Sequence, residues 1–218
     1  MRALICLLML SGLACRPNPE TKAVIYTPFG NMTVRLYNDT PKHRDNFIRL
    51  AESGFYDSLL FHRVVLDFMI QGGDPESKNA PKNKQLGNGG PGYDIAPEIR
   101  APHLKGALAA ARFPDAVNPG RRSNGSQFFI VQGTVQTEAG LDELEKQTGV
   151  QMTPHIRAMY LRRGGAPFLD GRYAVFGEVI DGLEVIDRIA AVPRDANDRP
   201  LEDIRMRIEI VEGGRKGH

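Results

Sequence analysis

The chain has 218 residues, 41% of them hydrophobic and 25% charged, which suits one globular domain and at most two. A formal net charge of +2, with both signs interspersed, excludes a basic nucleic-acid tail and an acidic disordered block. The only cysteines are Cys6 and Cys15, so beyond Cys15 no disulfide framework, zinc finger or thiol nucleophile can form.

Residues 3–10 are an unbroken apolar run behind Arg2, followed by Ser11-Gly12-Leu13-Ala14-Cys15. The run is too short to span a membrane as a helix and fits the apolar region of an export signal. A small residue directly before a cysteine resembles the bacterial lipoprotein signal, in which Cys15 would be acylated and become the first mature residue. Gly12 stands where that signal prefers leucine. An ordinary cleaved signal and a buried N-terminal strand are the alternatives. The expected layout is a signal over 1–14, an extended tether over 15–22 containing Pro17 and Pro19, and a folded domain over 23–213. That layout implies a cell-envelope protein, lipid-anchored to a membrane with its domain outside the cytoplasm.

Residues 23–27 are strand-like, and Met32, Val34 and Leu36 then alternate with Thr33, Arg35 and Tyr37, the period of a half-buried strand. Pro28-Phe29-Gly30-Asn31 supplies turn residues, so a hairpin is predicted. Thr40-Pro41 reads as an N-cap with proline at the first helical position, and Phe47, Leu50, Ala51 and Gly54 keep helical spacing, with Gly54 as the stop. Short strand-like runs follow at 61–65, 68–71, 107–111, 127–132 and 173–179. The glycine-rich stretch 87–92 lacks the helix that a phosphate cradle would need, so it reads as a loop.

Residues 134–166 are too many for a structureless loop in a compact domain. Leu141 and Leu144 among Glu and Lys predict one amphipathic helix there. Thr153 as N-cap, Pro154 at the first position and Gly164-Gly165 as the stop predict a second. This insertion is either inert decoration or packed beside a binding groove. Leu183, Ile186, Ile189 and Ala190 mark a further helix, and Ile204, Met206, Ile208 and Ile210 alternate with charged residues as the cleanest strand in the chain. The pattern predicts a mainly β fold: a closed antiparallel eight-stranded barrel capped by two helices, with a helical insertion.

Phe61-His62-Arg63-Val64, followed by Phe68-Met69-Ile70-Gln71-Gly72-Gly73-Asp74, puts an arginine, a glutamine and large apolar side chains on adjacent short strands. Asn124-Gly125-Ser126-Gln127-Phe128-Phe129-Ile130 again combines glutamine with aromatics. Together they describe an apolar pocket with a few hydrogen-bonding groups, suited to a small apolar ring attached to an amide. The five histidines show no metal-ligand spacing, so no metal site is expected.

These blocks, with Leu169-Asp170-Gly171 and Val175-Phe176-Gly177-Glu178-Val179 as a third in the same order, resemble the signature of cyclophilins. The resemblance runs over 23–212 with one insertion and implies a peptidyl-prolyl cis-trans isomerase for proline-containing polypeptides. It implies no cofactor; the interspersed charge gives no expectation of a nucleic-acid partner, and a monomer is expected. Arg63 matches the family's catalytic arginine. Phe68, Met69, Phe129 and Leu169 match the wall around the proline ring, and Gln71 a glutamine that positions substrate and arginine. Ala111 and Arg112 fall where the family contacts the peptide backbone, Arg112 replacing a frequent asparagine. His62 and Gln127 join the substrate-binding set. Tyr173 stands where many relatives carry histidine, and Phe168 where many carry tryptophan. A reading from another class is a binding module that grips proline segments without turnover.

Overall fold

The structure, a computed structural model, describes residues 20–212; the expected signal, Cys15 and most of the tether lie outside the described residues. In chain order the elements are β1 (Lys22–Thr27), β2 (Gly30–Leu36), α1 (Pro41–Glu52), β3 (Phe61–Val65), β4 (Met69–Gly72), β5 (Asp94–Ile95), β6 (Ala107–Ala110) and β7 (Ser123–Asn124). They continue with β8 (Phe128–Val131), α2 (Glu138–Thr148), α3 (Pro154–Arg163), β9 (Val175–Asp181), α4 (Leu183–Ala190) and β10 (Arg207–Glu212). Eight strands form one antiparallel sheet, curled into a half-barrel, in the order β10-β1-β2-β9-β6-β8-β4-β3, while β5 and β7 make a separate two-stranded ladder.

Strand alternation sorts the side chains into two layers. Val34, Val64, Ile70, Leu108, Phe128 and Ile130 face inward and join Phe47 and Leu50 of α1 and Val185, Ile186 and Ile189 of α4 in the main core. Their neighbours Met69, Ala109, Phe129, Val131 and Val175 face the other way and form a second apolar cluster with Ala166 and Leu169. The outer cluster carries the site described below.

Two local expectations are corrected. The last strand begins at Arg207 rather than Ile204, because Ile204 and Met206 bond to the segment before β3. Met206 N donates to Leu59 O (2.8 Å), and Ile204 O and Met206 O accept from Phe61 N and Ser58 N (2.9 Å each). These bonds, with an isolated bridge from Leu60 to Arg205, span the two edges of the sheet. Thr40 precedes α1 as expected, but its side chain caps nothing in the helix. Its hydroxyl donates to Tyr37 O at 3.4 Å. The Glu98 carboxylate, far along the chain, instead accepts from the first-turn amides of Lys42 (3.2 Å) and His43 (3.0 Å), where a negative charge also suits the helix dipole.

The insertion forms the two predicted helices. Thr153 accepts from Ile156 N, and α3 stops at Gly164. Arg157 links α3 to α2 through Glu138 (2.5 Å), Asp142 (2.7 Å) and Glu145 (3.3 Å). Leu104 of the main domain joins Leu141 and Tyr160 in a small core beneath the pair. The insertion returns at Gly165, whose positive φ and close approach to His103 O leave no room for a Cβ. Lys105 N donates to Gly164 O (3.0 Å) and Ala166 N to His103 O (2.8 Å), so the root of the insertion is laced into the domain.

Candidate active site

The ladder register builds the site. Arg63 on β3 lies opposite Gln71 on β4, Gln71 opposite Phe129 on β8, and Phe129 opposite Ala109 on β6. Period-2 alternation therefore puts a cation, an amide and an aromatic ring in one row on the outer face. A cavity of about 130 Å³ opens there, lined by Arg63, Phe68, Met69, Gln71, Ala111, Arg112, Phe129, Leu169 and Tyr173. That is room for about four waters at roughly 30 Å³ each, the scale of one small ring with its amide. Met69 and Phe129 are buried, whereas Arg63 and Gln71 are half-exposed, so the floor is apolar and the polar heads stand at the rim.

Each rim group is held by a partner that is distant in sequence. Arg63 Nε lies 3.4 Å from Asp198 Oδ2, and Val64 N donates to Asp198 O at 2.8 Å. The same carboxylate reaches Arg194 Nε at 3.3 Å. Gln71 Nε2 donates to Gln127 Oε1 at 3.0 Å. Gln127 is almost fully buried, and its Nε2 donates to Gly87 O (3.0 Å) and Gly89 O (2.6 Å). That glycine-rich loop is pinned in turn by the buried Asp74, whose carboxylate accepts from Gly87 N (2.6 Å) and Gly89 N (3.4 Å). Arg112 lies over the Tyr173 ring, 4.6 Å from its centroid, with Nε donating to Arg172 O (2.9 Å) and Nη1 2.6 Å from Asp115.

The floor is supported from behind by a group absent from the sequence expectations. His103 is fully buried and stacks on Phe129 with 6.1 Å between centroids and 11° between planes. It also meets Tyr173 edge-on at 6.3 Å. Asp170 Oδ1 accepts from His103 N (2.8 Å) and Nδ1 (2.9 Å), and Asp170 Oδ2 accepts from the Tyr160 hydroxyl (2.8 Å). Tyr160 belongs to α3, so the insertion reaches the back of the pocket. Asp170 was visible in its motif only as a neighbour of Leu169. Neither Asp198 nor Tyr160 sits in any motif.

Three expected site residues stand apart from this cavity. Gln127 acts through Gln71, as described. Phe168 is 49% exposed and lines an adjacent groove, its ring 5.5 Å from that of Phe68. His62 sits at the irregularity in the β3–β4 ladder between Phe61 and Arg63 and borders a polar depression that Arg63 and Gln71 also line, together with loops 82–88 and 195–199. Burial pushes its imidazole down to about 4, with Arg63 and Arg199 adding to the effect and Asp74 opposing it. The ring is therefore neutral at physiological pH, and neither nitrogen has a hydrogen-bond partner among the described residues.

A second polar chain resembles a hydrolytic relay. His43 Nε2 lies 3.0 Å from Ser123 Oγ, and its Nδ1 lies 2.7 Å from Glu98 Oε2. Ser123 and His43 are each only 2% exposed, so no substrate carbonyl reaches the hydroxyl. The chain is structural and ties the start of α1 to the β5–β7 ladder.

Residues 22–210 match the family model described as cyclophilin type peptidyl-prolyl cis-trans isomerase/CLD. A Staphylococcus aureus (strain COL) protein assigned as a peptidyl-prolyl cis-trans isomerase is 38% identical over 194 residues, covering 88% of this chain and 92% of the relative. Among solved structures, a cyclophilin type isomerase of Cryptosporidium parvum aligns with a TM-score of 0.63 at 26% identity, over 88% of this chain and 98% of that one. The same C. parvum isomerase solved in the presence of the dipeptide Ala-Pro aligns with a TM-score of 0.61 at 26% identity, over 87% of this chain and 98% of that one. The chain belongs to the cyclophilin-type peptidyl-prolyl cis-trans isomerases and is an enzyme of class EC 5.2.1.8 acting on proline-containing peptides.

Proposed function

We propose that Arg63 is the catalytic residue and that it works by hydrogen-bonding the proline nitrogen in the twisted state of the X-Pro bond. The bond crosses a barrier of about 18–20 kcal/mol and takes about tens to hundreds of seconds unaided. At the top of that barrier amide resonance is lost and the lone pair localises on nitrogen. A donor aimed at that nitrogen stabilises the twisted state above either planar isomer, and this difference is what accelerates the reaction. A guanidinium suits the task because it is always charged and rigidly forked. Phe68, Met69, Phe129 and Leu169 would hold the ring, Ala111, Arg112 and Tyr173 would flank the peptide, and Gln71, positioned by Gln127, would align the chain. Phe168 would border the site and His62 would support it from the adjacent depression. The step asks for no nucleophile, cofactor or metal.

The observation that carries this reading is the row Arg63–Gln71–Phe129, which sets a guanidinium at the rim of one small cavity with an apolar floor. Arg63→Ala is expected to lower kcat/KM on a proline tetrapeptide by about two to three orders of magnitude, the usual cost of removing one transition-state donor. Its ion pair with Asp198 is part-exposed, so stability should fall by no more than about 1 kcal/mol. Near-wild-type turnover would sink the mechanism.

We further infer that the substrates are exported, folding polypeptides, and that Cys15 carries a lipid that holds the domain to a membrane of a bacterial envelope. The apolar run 3–10 and the small residue before Cys15 support this. Cys15→Ser should then release a soluble exported form, while unchanged membrane fractionation or an unacylated N-terminus would favour a plain signal. The bonds between 58–61 and 204–206 support reading the half-barrel as a closed barrel.

A further inference from the structure

The proline cavity leaves a larger neighbour unexplained. A groove of about 460 Å³ lies between loop 99–102, the insertion and segment 167–172, well within the size range of ligand sites. Ile99, Val150, Met152, Ile156 and Pro167 give it an apolar lining. Arg100, Arg121 and Arg172 give it a basic rim. Arg121 is engaged with Asp115 at 3.2 Å, whereas Arg100 and Arg172 pair with no carboxylate among the described residues. Asp170 borders the groove too, but its carboxylate is occupied by His103 and Tyr160.

The groove is continuous with the substrate site. One segment walls both: Leu169 and Tyr173 line the proline cavity, and Phe168, Asp170 and Arg172 line the groove. The Phe168 ring, packed on Phe68 at 5.5 Å, is the partition between them. An extended chain advancing about 3.3–3.6 Å per residue passes such a partition within two or three residues.

We propose that the groove is a second subsite for the same polypeptide, taking an apolar side chain about two to four residues from the proline, with an acidic neighbour pairing with Arg100 or Arg172. This rests on the reading that the proline ring occupies the Arg63 cavity. The insertion would then set substrate choice and leave the isomerisation step to the outer-face row. Charge complementarity at a partly apolar surface discriminates between partners more than it adds raw affinity, so the effect should appear as a preference among sequences.

The test uses the full chain and peptides sharing an Ala-Pro core, flanked on one side or the other by alanines, by Leu-Glu or by Leu-Lys. Kd is read by calorimetry and kcat/KM by exchange NMR. A Leu-Glu flank on one side should improve both at least fivefold over alanines, and Leu-Lys should not. The double variant Val150→Asp/Arg100→Glu changes two exposed side chains outside the proline cavity. It should erase the gain, keep the thermal midpoint and leave the alanine peptide within twofold. Arg172→Glu should do the same. Leu-Glu peptides within twofold of alanine on both sides, or variants that weaken every peptide equally, would overturn the proposal. Failure of the Arg63 mechanism looks different: Arg63→Ala would retain turnover while the Leu-Glu preference in Kd persisted, and that result would still support the subsite.

Discussion

Replacing Tyr160 by phenylalanine deletes one hydroxyl from the buried junction between the insertion and the pocket. Tyr160 is fully buried, and its hydroxyl donates to Asp170 Oδ2 at 2.8 Å. A hydrogen bond to a charged group contributes about 1.5–3 kcal/mol net. The Asp170 side chain is 18% exposed, so water can partly replace the lost donor and the cost belongs at the lower end, roughly 1.5 kcal/mol. For a chain of this size about 1 kcal/mol moves Tm by roughly 2–4 °C, so the midpoint should fall by roughly 3–6 °C. Asp170 still holds His103 through two bonds, so Phe129 should shift little and kcat/KM on a tetrapeptide should drop only about two- to fivefold, under about 1 kcal/mol. Asp170→Asn, which alters all three bonds at once, should lose more of both. Calorimetry with tetrapeptide kinetics on the three proteins checks this. A Tyr160→Phe midpoint within 1 °C of wild type, with unchanged kinetics, would refute the coupling and leave the insertion as decoration.

Asp198→Asn should lower kcat/KM about three- to tenfold with little change in Tm. Asn tolerates the left-handed backbone that Asp198 adopts (φ 63°), so the variant removes the charge facing Arg63 and leaves the loop intact; equal turnover would show that the carboxylate does not orient the arginine. For His62 the folded-state pKa of about 4 lies below the ordinary 6.5, so the unfolded chain takes up the proton first. The stability this residue contributes is present above about pH 6.5 and is lost as pH falls through about 4, by up to about 3 kcal/mol. Denaturant unfolding of His62→Leu between pH 4 and 7.5 should show a flatter pH dependence than wild type, and parallel curves would contradict the assignment.

How much of this was legible in the sequence follows from the range of each interaction. Hairpin alternation at Met32, Val34 and Leu36 and the Thr153-Pro154 start of α3 are set within a few residues, and both form where expected. Ile204 and Met206 alternate as well as any strand in the chain, yet they bond to 58–61 because the neighbouring edge, not their own pattern, decides the pairing. Nine of the expected site residues line one cavity: Arg63, Met69, Gln71 and Phe129 converge through period-2 alternation on adjacent strands once the register is fixed, and the other five come from segments outside the strands. His62 and Gln127 sit on the same motifs but point elsewhere, which a motif alone does not resolve. Asp198, His103 and Tyr160 carry no local signal: each acts on the site across a long sequence separation.

That division has a physical reason. Proline isomerisation calls for no reactive nucleophile, only a donor and an apolar seat held still enough to favour a twisted bond over a planar one. The Arg63–Gln71–Phe129 row sits on short strands, where alternation makes it readable, while Phe68, Ala111, Arg112, Leu169 and Tyr173 reach the cavity from segments outside the strands. Rigidity must come from behind those strands, and the inner core cannot supply it all, because inner and outer side chains point to opposite faces of the sheet. The outer row is therefore braced by elements that return from far along the chain: Asp198 beside Arg63, the Asp74-pinned glycine loop through Gln127 to Gln71, and the Tyr160–Asp170–His103 chain beneath Phe129. Each brace ends on a different member of the row. Weakening one should shift positioning at its own residue and leave the other two in register, so paired substitutions in separate braces should combine nearly additively in kcat/KM, whereas two within one brace should not.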